Sequence, residues 1–402
     1  MISTRLAVVS LVPTPYQEPL CRRLSQTPGL KVRFFYLQSK DSVRGWSELN
    51  CLYDAVKLPC LTPESLYPVP LIGVVNWGLQ RHLREFSPDC LLIHGYSYWP
   101  QMQAMRWAIR ARKPYLLFAD SNSLQLRSGP AAFGKAFCLH HFCRHAAGVL
   151  TIGSSNEAFW RHYGVETDRQ FRAPLAVDND FFSSQSAVWR RRKSAAREGL
   201  GLPAGRLLLY VGRLARPKNV DALIHAMAAC QRDGGQDLSL ALVGDGPERG
   251  RIGRLIQQLE VRNIFHFGFQ PQAELPKFYG IADALVLPSV DEPWGLVVNE
   301  AMASGLPVLL SKNIGCRPDL LEENGNGFSF SADDGGSLAE CLQRFGRISE
   351  EELARLGARS AQLIRAWNYE SALHGILRAL ESVMSMAAGR GSSRLPAASA
   401  VR

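Results

Sequence analysis

The chain has 402 residues, 46% of them apolar and 20% charged, a globular composition that excludes disordered and fibrous classes. That length exceeds one ordinary core and suits two domains of roughly 150–200 residues each. Lysine and arginine outnumber aspartate and glutamate by 46 to 36, a net charge of +10, and no apolar run approaches the ~18–20 residues that span a bilayer.

The opening run Leu6-Ala7-Val8-Val9 is too short for a signal-peptide core, so a cytoplasmic protein is expected. Its charge is uneven. Residues 1–182 carry +7, 183–200 carry +4 and the last fifteen +3, leaving −4 on 201–387. Nine cysteines lie scattered without a C-x-x-C pair, and an odd number in a chain of this size argues against a disulfide framework. In Cys138-Leu139-His140-His141-Phe142-Cys143-Arg144-His145, a helix would bring Cys138, His141 and His145 near one face. No second ligand pair stands nearby, so an ordinary helix is expected there and no metal site.

In chain order, short β-branched runs alternate with amphipathic stretches, the pattern of βαβ units and parallel sheets. The first half predicts strands over Leu6–Val12, Val32–Leu37, Cys90–Gly95, Tyr115–Asp120 and Val149–Gly153, with helices such as Trp99–Arg112 and Ala131–Ala146 between them. The pattern dissolves around Trp189-Arg190-Arg191-Arg192-Lys193 and the Gly201-Leu202-Pro203 break. A second series follows: Leu207–Gly212, Leu238–Gly244, Ile264–Phe267, Ala284–Pro288, Pro307–Ser311 and Gly327–Phe330. A Gly/Ala/Ser-rich end reads as a disordered tail. The expected division is 1–185, 186–366, a last helix within 367–386, and a tail over 387–402.

Ligands of open parallel sheets sit beyond the carboxyl ends of the strands. After the strand ending at Val211 come Gly212, Arg213 and Lys218, then Asn219 as an expected N-cap of the helix Val220–Gln231. Two cations beside a helix start suit a phosphate or diphosphate; a merely basic surface loop is the other reading. Gly244-Asp245-Gly246-Pro247 has the look of a dinucleotide fingerprint, but its third glycine falls late and Pro247 interrupts the turn, so a tight turn explains it. After Pro288, Glu292 lies in a loop shaped by Pro293 and Gly295, and Glu300 follows in a helix starting near Leu296. Both carboxylates can address one ligand, accepting hydroxyls of a sugar or ribose in charge-assisted hydrogen bonds; two solvated glutamates are the alternative.

Taken together, Arg213 and Lys218, the Gly244–Pro247 turn, Glu292 with Glu300, Gly315-Cys316-Arg317-Pro318-Asp319-Leu320 and Gly325-Asn326-Gly327-Phe328 closely resemble the C-terminal half of retaining glycosyltransferases of family 4. That family is also called glycosyl transferases group 1 and has the GT-B fold. Glu292 and Glu300 resemble its E-x7-E signature, and the resemblance covers about residues 205–330. It implies an α/β fold of two Rossmann-like domains facing each other across a cleft, the first on the acceptor side and the second binding a nucleotide-sugar donor. By the same resemblance, Arg213 and Lys218 neutralise the leaving diphosphate. Glu292 holds donor-sugar hydroxyls, with the amides of Trp294, Gly295, Leu296 and Val297 around sugar and phosphate. Glu300 grips the ribose, Gly212 allows close approach, and Phe269 lies where the nucleobase is seated.

The first half matches more loosely. Ser87-Pro88-Asp89-Cys90-Leu91-Leu92-Ile93-His94 resembles a strand of the family, and Ala173-Pro174-Leu175-Ala176-Val177-Asp178 resembles its hinge side. A glycine-rich loop is missing after the first strand, where Val12-Pro13-Thr14-Pro15-Tyr16 stand. Where many members place a histidine over the donor sugar, this chain has Asp120, expected to accept a sugar or acceptor hydroxyl. The implied reaction moves a hexose from a UDP- or GDP-sugar to a glycan or lipid-linked hydroxyl with retention, in polysaccharide or glycolipid synthesis, without a metal or other cofactor. Readings kept beside it are a nucleotide-sugar epimerase or hydrolase of the same fold, and a non-catalytic nucleotide-sugar-binding protein. The basic first half suits a peripheral position on an anionic membrane surface. A nucleic-acid partner is not expected, since the basic residues lack a recognisable module or interleaved aromatics.

Overall fold

Leucine- and valine-rich runs form two all-parallel sheets in the computed structural model, which describes residues 4–38, 51–63, 66, 69, 71–125, 130–232 and 238–392. The first contains β1 (Thr4–Ser10), β2 (Leu30–Tyr36), β3 (Ala55–Lys57), β4 (Cys90–His94), β5 (Tyr115–Phe118), β6 (Gly148–Thr151) and β7 (Gln170–Arg172). The second contains β8 (Arg206–Val211), β9 (Leu238–Val243), β10 (Ile264–His266), β11 (Ala284–Leu287), β12 (Val308–Ser311) and β13 (Gly327–Phe330). Their central strands are buried on both faces, which is why they read as continuous apolar runs rather than alternating ones.

The strand order is β3-β2-β1-β4-β5-β6-β7 in one sheet and β10-β9-β8-β11-β12-β13 in the other. Apart from the extra edge strand β7, the two orders are equivalent, and both are the doubly wound Rossmann order. Each reverses direction at one place, between β1 and β4 and between β8 and β11. At these points the loops leaving the strands diverge and open a crevice. Register is continuous across both reversals, with Val8 beside Leu92 and Leu209 beside Leu285.

The chain divides into two compact units. The first comprises 1–152, 156–174 and 369–402; the second comprises 153–155 and 175–368. The main crossover thus falls near residue 175, not 185. The helix Asn179–Arg191 belongs with the second unit because its buried face is made there: Phe182 meets the Tyr279 ring edge-on at 5.8 Å, and the Ser186 and Ser304 hydroxyls lie 2.8 Å apart.

In the first unit, one core layer gathers Leu6, Val8, Phe34 and Leu92 with Ile376, Ala379, Leu380 and Val383 from the last helix. Those four positions repeat at the helical spacing of one apolar face. That helix runs from Tyr369 to Ser392, into the segment expected as a tail; residues 393–402 lie outside the described residues. No helix among the described residues is long and apolar enough to cross a membrane.

Candidate active site in the second unit

The two strands at the second reversal, β8 and β11, each deliver one charged side chain. Beyond β8 the chain turns through a short 3-10 segment, Arg216–Lys218, whose proline fixes its start. Asn219 follows in the left-handed conformation (φ 53°). It was expected as an N-cap, but its side-chain amide donates to the Ala332 carbonyl at 3.2 Å, so it ties the turn to the chain after β13. Beyond β11, Glu292 bridges Ile314, and its carbonyl accepts the Gly315 amide at 2.9 Å. The two loops bring Lys218 Nζ onto Glu292 Oε2 in a close ion pair, with only 24% and 12% of the two side chains exposed.

Directly beneath, Tyr210 is wholly buried on β8, and its hydroxyl donates to the Arg213 carbonyl at 3.0 Å. Burial first, and then the Glu292 charge, push the Tyr210 phenol well above its ordinary range. It therefore serves as a neutral prop for the loop. The Arg213 side chain is exposed.

The glycines explain how the loops approach each other. A Cβ at Gly244 would fall on the Gly212 carbonyl oxygen, and Leu214 N donates to the Asp245 carbonyl at 2.9 Å. The Gly-x-Gly there is thus a close backbone contact between two loops, as the misplaced third glycine and Pro247 suggested. Gly295, at φ 95°, precedes the helix Leu296–Ala303 in a conformation that L side chains rarely adopt. The amides of the helix's first turn have no acceptor within the helix, and Leu296 and Val297 are partly exposed there.

Glu300 is set deeper. It is 7% exposed, and Oε2 accepts the Tyr279 hydroxyl at 2.7 Å. Burial raises its pKa to about 7, although hydrogen bonds from Tyr279 and Gln272 work in the opposite direction. Near neutral pH this carboxyl is therefore divided between its two protonation states. Tyr279 had no signal in the sequence. It sits in a short buried helix, Leu275–Ile281, where a tyrosine looks like any other core aromatic, and only the fold sets its hydroxyl against Glu300.

Trp294 was expected to contribute its amide; its side chain has a separate task. The indole is buried, donates to Asn299 Oδ1 at 3.0 Å and packs on Trp367 at 5.0 Å. Its ring braces the loop from inside and does not present a face to solvent. Asn299, also missed, links that brace to the Leu175 carbonyl at 3.1 Å. Phe269 stands 64% exposed just past β10, after Gly268 at φ 67°.

The structure thus brings Lys218 and Glu292 into contact and sets Tyr279 on Glu300. Gly212, Gly295 and Phe269 lie at the same carboxyl-end edge of the sheet. Asp120 belongs to the other unit, exposed just after β5. At the first unit's reversal, His94 closes β4 with its ring 4.8 Å from Phe118 and its Nδ1 enclosed without a hydrogen-bond partner among the described residues. Burial holds its pKa down at about 4. The Cys138–His145 segment is a helix in which His145 Nδ1 meets the His141 carbonyl at 2.9 Å. Among the described residues no group of three or more potential ligands is placed to hold a metal ion.

Residues 193–362 match the family model of glycosyl transferases group 1. That stretch contains both strands of the second reversal and every charged side chain described at it, which supports this family for the second unit. The chain is 27% identical over 237 residues to alpha-D-kanosaminyltransferase of Streptomyces kanamyceticus, covering 58% of this chain and 60% of that protein. It is 32% identical over 256 residues to the D-inositol 3-phosphate glycosyltransferase of Nocardiopsis dassonvillei, covering 59% and 58%. It therefore spans about three fifths of the length of these relatives. Among solved structures, Anabaena HepE in complex with UDP and glucose superposes with a TM-score of 0.70 at 16% identity, over 94% of this chain and 100% of that one. This likeness carries the fold: two parallel-sheet α/β domains of the GT-B type.

Proposed function

We propose that the protein is a glycosyltransferase that moves a hexose from a nucleotide-diphosphate sugar to an acceptor hydroxyl with retention of anomeric configuration. The observation that carries this reading is the Lys218–Glu292 pair at the carboxyl ends of β8 and β11, with Glu300 buried in the helix that follows the Glu292 loop. In this reading Lys218 leaves Glu292 for the donor's diphosphate. Glu292, released, accepts hydroxyls of the sugar, and the exposed Arg213 adds a second cation. Charge developing on the leaving phosphate is stabilised by these fixed cations. The first-turn amides of Leu296–Ala303 face the same charge, Glu300 accepts the ribose diol, and Phe269 offers its ring to the base. UDP in the HepE structure supports a uridine donor ahead of guanosine. No step requires a metal.

The acceptor side is assigned to the first unit, with Asp120 accepting a hydroxyl. Leu71 N donates to the Ser97 carbonyl at 2.8 Å and Trp99 N to the Leu71 carbonyl at 3.1 Å, so Leu71, Ile72 and Trp99 share one surface. All three are exposed, as is Trp77. In a half-chain of charge +7, this apolar surface supports a lipid-linked acceptor on an anionic bilayer. Sedimentation with vesicles containing anionic phospholipid at low salt is the check: Ile72→Ser with Trp77→Ser should abolish it, and no sedimentation of the parent protein would rule the surface out.

The donor test is thermal stabilisation by UDP-, GDP- and ADP-sugars, with chelator present. A ligand at about 100 times its dissociation constant adds roughly 2.7 kcal/mol. Transfer products are then read by NMR for anomeric configuration. Stabilisation with no transfer to any glycan or lipid acceptor would favour the non-catalytic binder, and turnover without acceptor would favour the epimerase or hydrolase. An inverted product would overturn retention.

A further inference from the structure

At the opposite edge of the second sheet lies a polar cavity of about 450 Å³. It is lined by Lys193, Arg197, Arg206, Arg347, Asp283 and Glu350, with Ile348 its one large apolar side chain. Arg206 is the first residue of β8, and Asp283 immediately precedes β11. The cavity therefore sits at the amino ends of the very strands whose carboxyl ends carry Lys218 and Glu292. The six residues of β8, at ~3.3 Å each, set the two places roughly 20 Å apart.

The inner half of the cluster is structural. Asp283 is buried; its Oδ2 accepts the Leu207 amide at 2.7 Å and meets Arg197 Nη2 at 2.8 Å, while Oδ1 receives Lys193. Arg197 is also buried, and its remaining donors go to the Ile281 and Gly205 carbonyls, at 2.6–2.9 Å. One carboxylate thus answers two cations at the floor.

The outer half is different. Arg206 donates one N–H to the Ile348 carbonyl at 2.8 Å and pairs with Glu350 at 2.6 Å, but Glu350 is 84% exposed, so solvent screens that partner and further guanidinium donors remain. Arg347, in the last turn of the helix Gly335–Arg347, is exposed at the rim. Among the described residues Lys193 meets Asp283 alone, while an ammonium carries three donors and a guanidinium five. Four cations against two carboxylates leave a net charge of +2. Arg191 and Arg192, which no part of the proposed reaction uses, add to the positive potential on the Lys193 side.

We propose that this cavity is a second anion site, which takes a phosphate group, free or as the monoester of a small polar molecule. A phosphate monoester is close to a dianion at neutral pH and balances the net +2. Its oxygens accept charge-assisted hydrogen bonds from Lys193, Arg206 and Arg347, the chemistry at which guanidinium groups excel. The cavity volume falls in the lower half of the ~300–1,000 Å³ range of small-molecule sites. Its scarcity of apolar lining selects against a nucleobase and for a compact charged group. This site is independent of the proposed reaction and stands whether or not the donor assignment holds.

The test is calorimetric titration of the full chain with inorganic phosphate and with glucose 6-phosphate, at constant ionic strength set by chloride. Three proteins are compared: the parent, Arg347→Glu and Lys218→Ala. Arg347 is exposed, so its reversal leaves the fold intact, which circular dichroism checks. The parent should bind at least one of the two probes. Arg347→Glu should weaken that binding at least about tenfold, whereas Lys218→Ala should leave it within twofold. Tighter binding of glucose 6-phosphate identifies an organic monoester as the occupant, and equal binding identifies free phosphate. The proposal is overturned if neither probe binds beyond chloride, if Arg347→Glu binds as the parent does, or if Lys218→Ala loses the binding, which would put the anion in the donor site instead.

Discussion

The two sheets share one strand order, yet they equip their reversal points in opposite ways. Beyond β8 and β11 the loops bring a lysine and a glutamate into contact over a buried tyrosine. Beyond β1 stands Thr14, buried with its hydroxyl unpartnered, and β4 ends in His94, whose enclosed Nδ1 is likewise without a partner. The second unit's edge is charged, and there the Ser289 hydroxyl is buried without a partner; the first unit's edge is neutral, with Thr14 and His94 in the same position among the described residues. The same backbone plan thus carries an ion pair at one reversal and only uncharged side chains at the other. The function lies in the loops rather than in the fold.

The sharpest way to break this contrast is to strip each side in turn. Lys218→Ala should lower turnover by about 10²–10³-fold, the usual loss for one electrostatic donor to a developing charge, with a small change in melting temperature. Thr14→Val, measured alongside, should keep turnover within threefold, and it should raise urea stability by about 1 kcal/mol by removing an unsatisfied hydroxyl. Equal losses in the two variants would end the distinction between charged and neutral edges.

Next in size is Glu300→Gln, expected to weaken UDP binding by about 10–100-fold, in line with the loss of charge-assisted bonds. Because burial lifts the Glu300 pKa to about 7, the carboxylate proposed to accept the ribose forms only as pH rises through that value. Parent affinity for UDP should therefore climb between about pH 6 and 8, and that climb should vanish in the Gln variant. A parent affinity flat across this range would remove Glu300 from the site. Asp120→Asn should slow transfer by about tenfold while leaving the UDP dissociation constant unchanged; full activity would make that residue structural.

The smallest effect concerns His94. Its folded pKa of about 4 lies below the ~6.5 of an unfolded histidine. Below pH 6.5 the unfolded chain takes up a proton that the folded one refuses. Stability present at neutral pH is thus lost as pH falls from ~6.5 toward 4, by up to roughly 3 kcal/mol. His94→Leu should flatten that slope in urea titrations at pH 7 and pH 5, and an unaltered slope would show that His94 is hydrated.

Much of this was legible beforehand because buried parallel strands announce themselves as apolar runs: β13 was expected at its observed limits, Gly327–Phe330, and β8 and β11 within one residue. The edge strands β3 and β7 escaped notice, since Ala55–Lys57 and Gln170–Arg172 are too short to show any period. Glu292 and Glu300 stood out through their spacing and the glycines and prolines around them. What spacing could not convey was depth. The Lys218 contact, the Tyr279 hydroxyl and the inward turn of Trp294 depend on residues brought together by sheet order, and that order is not written in any local window. Asn219 was misjudged for the same reason: its amide is engaged by Ala332, more than a hundred residues away.

The placement of the last helix has a consequence for how the protein is made. Residues 175–368 form a unit of their own, while Ile376, Ala379, Leu380 and Val383 complete a core begun by Leu6 and Val8. During synthesis the second unit emerges whole and is free to fold at once. The first must wait with one sheet face only partly covered, by Cys21 and Leu24, until its closing helix appears about 200 residues later. At ~5–20 residues per second that delay is roughly 10–40 s, long enough for a chaperone to occupy the open face. The part of the chain made first is therefore the part finished last.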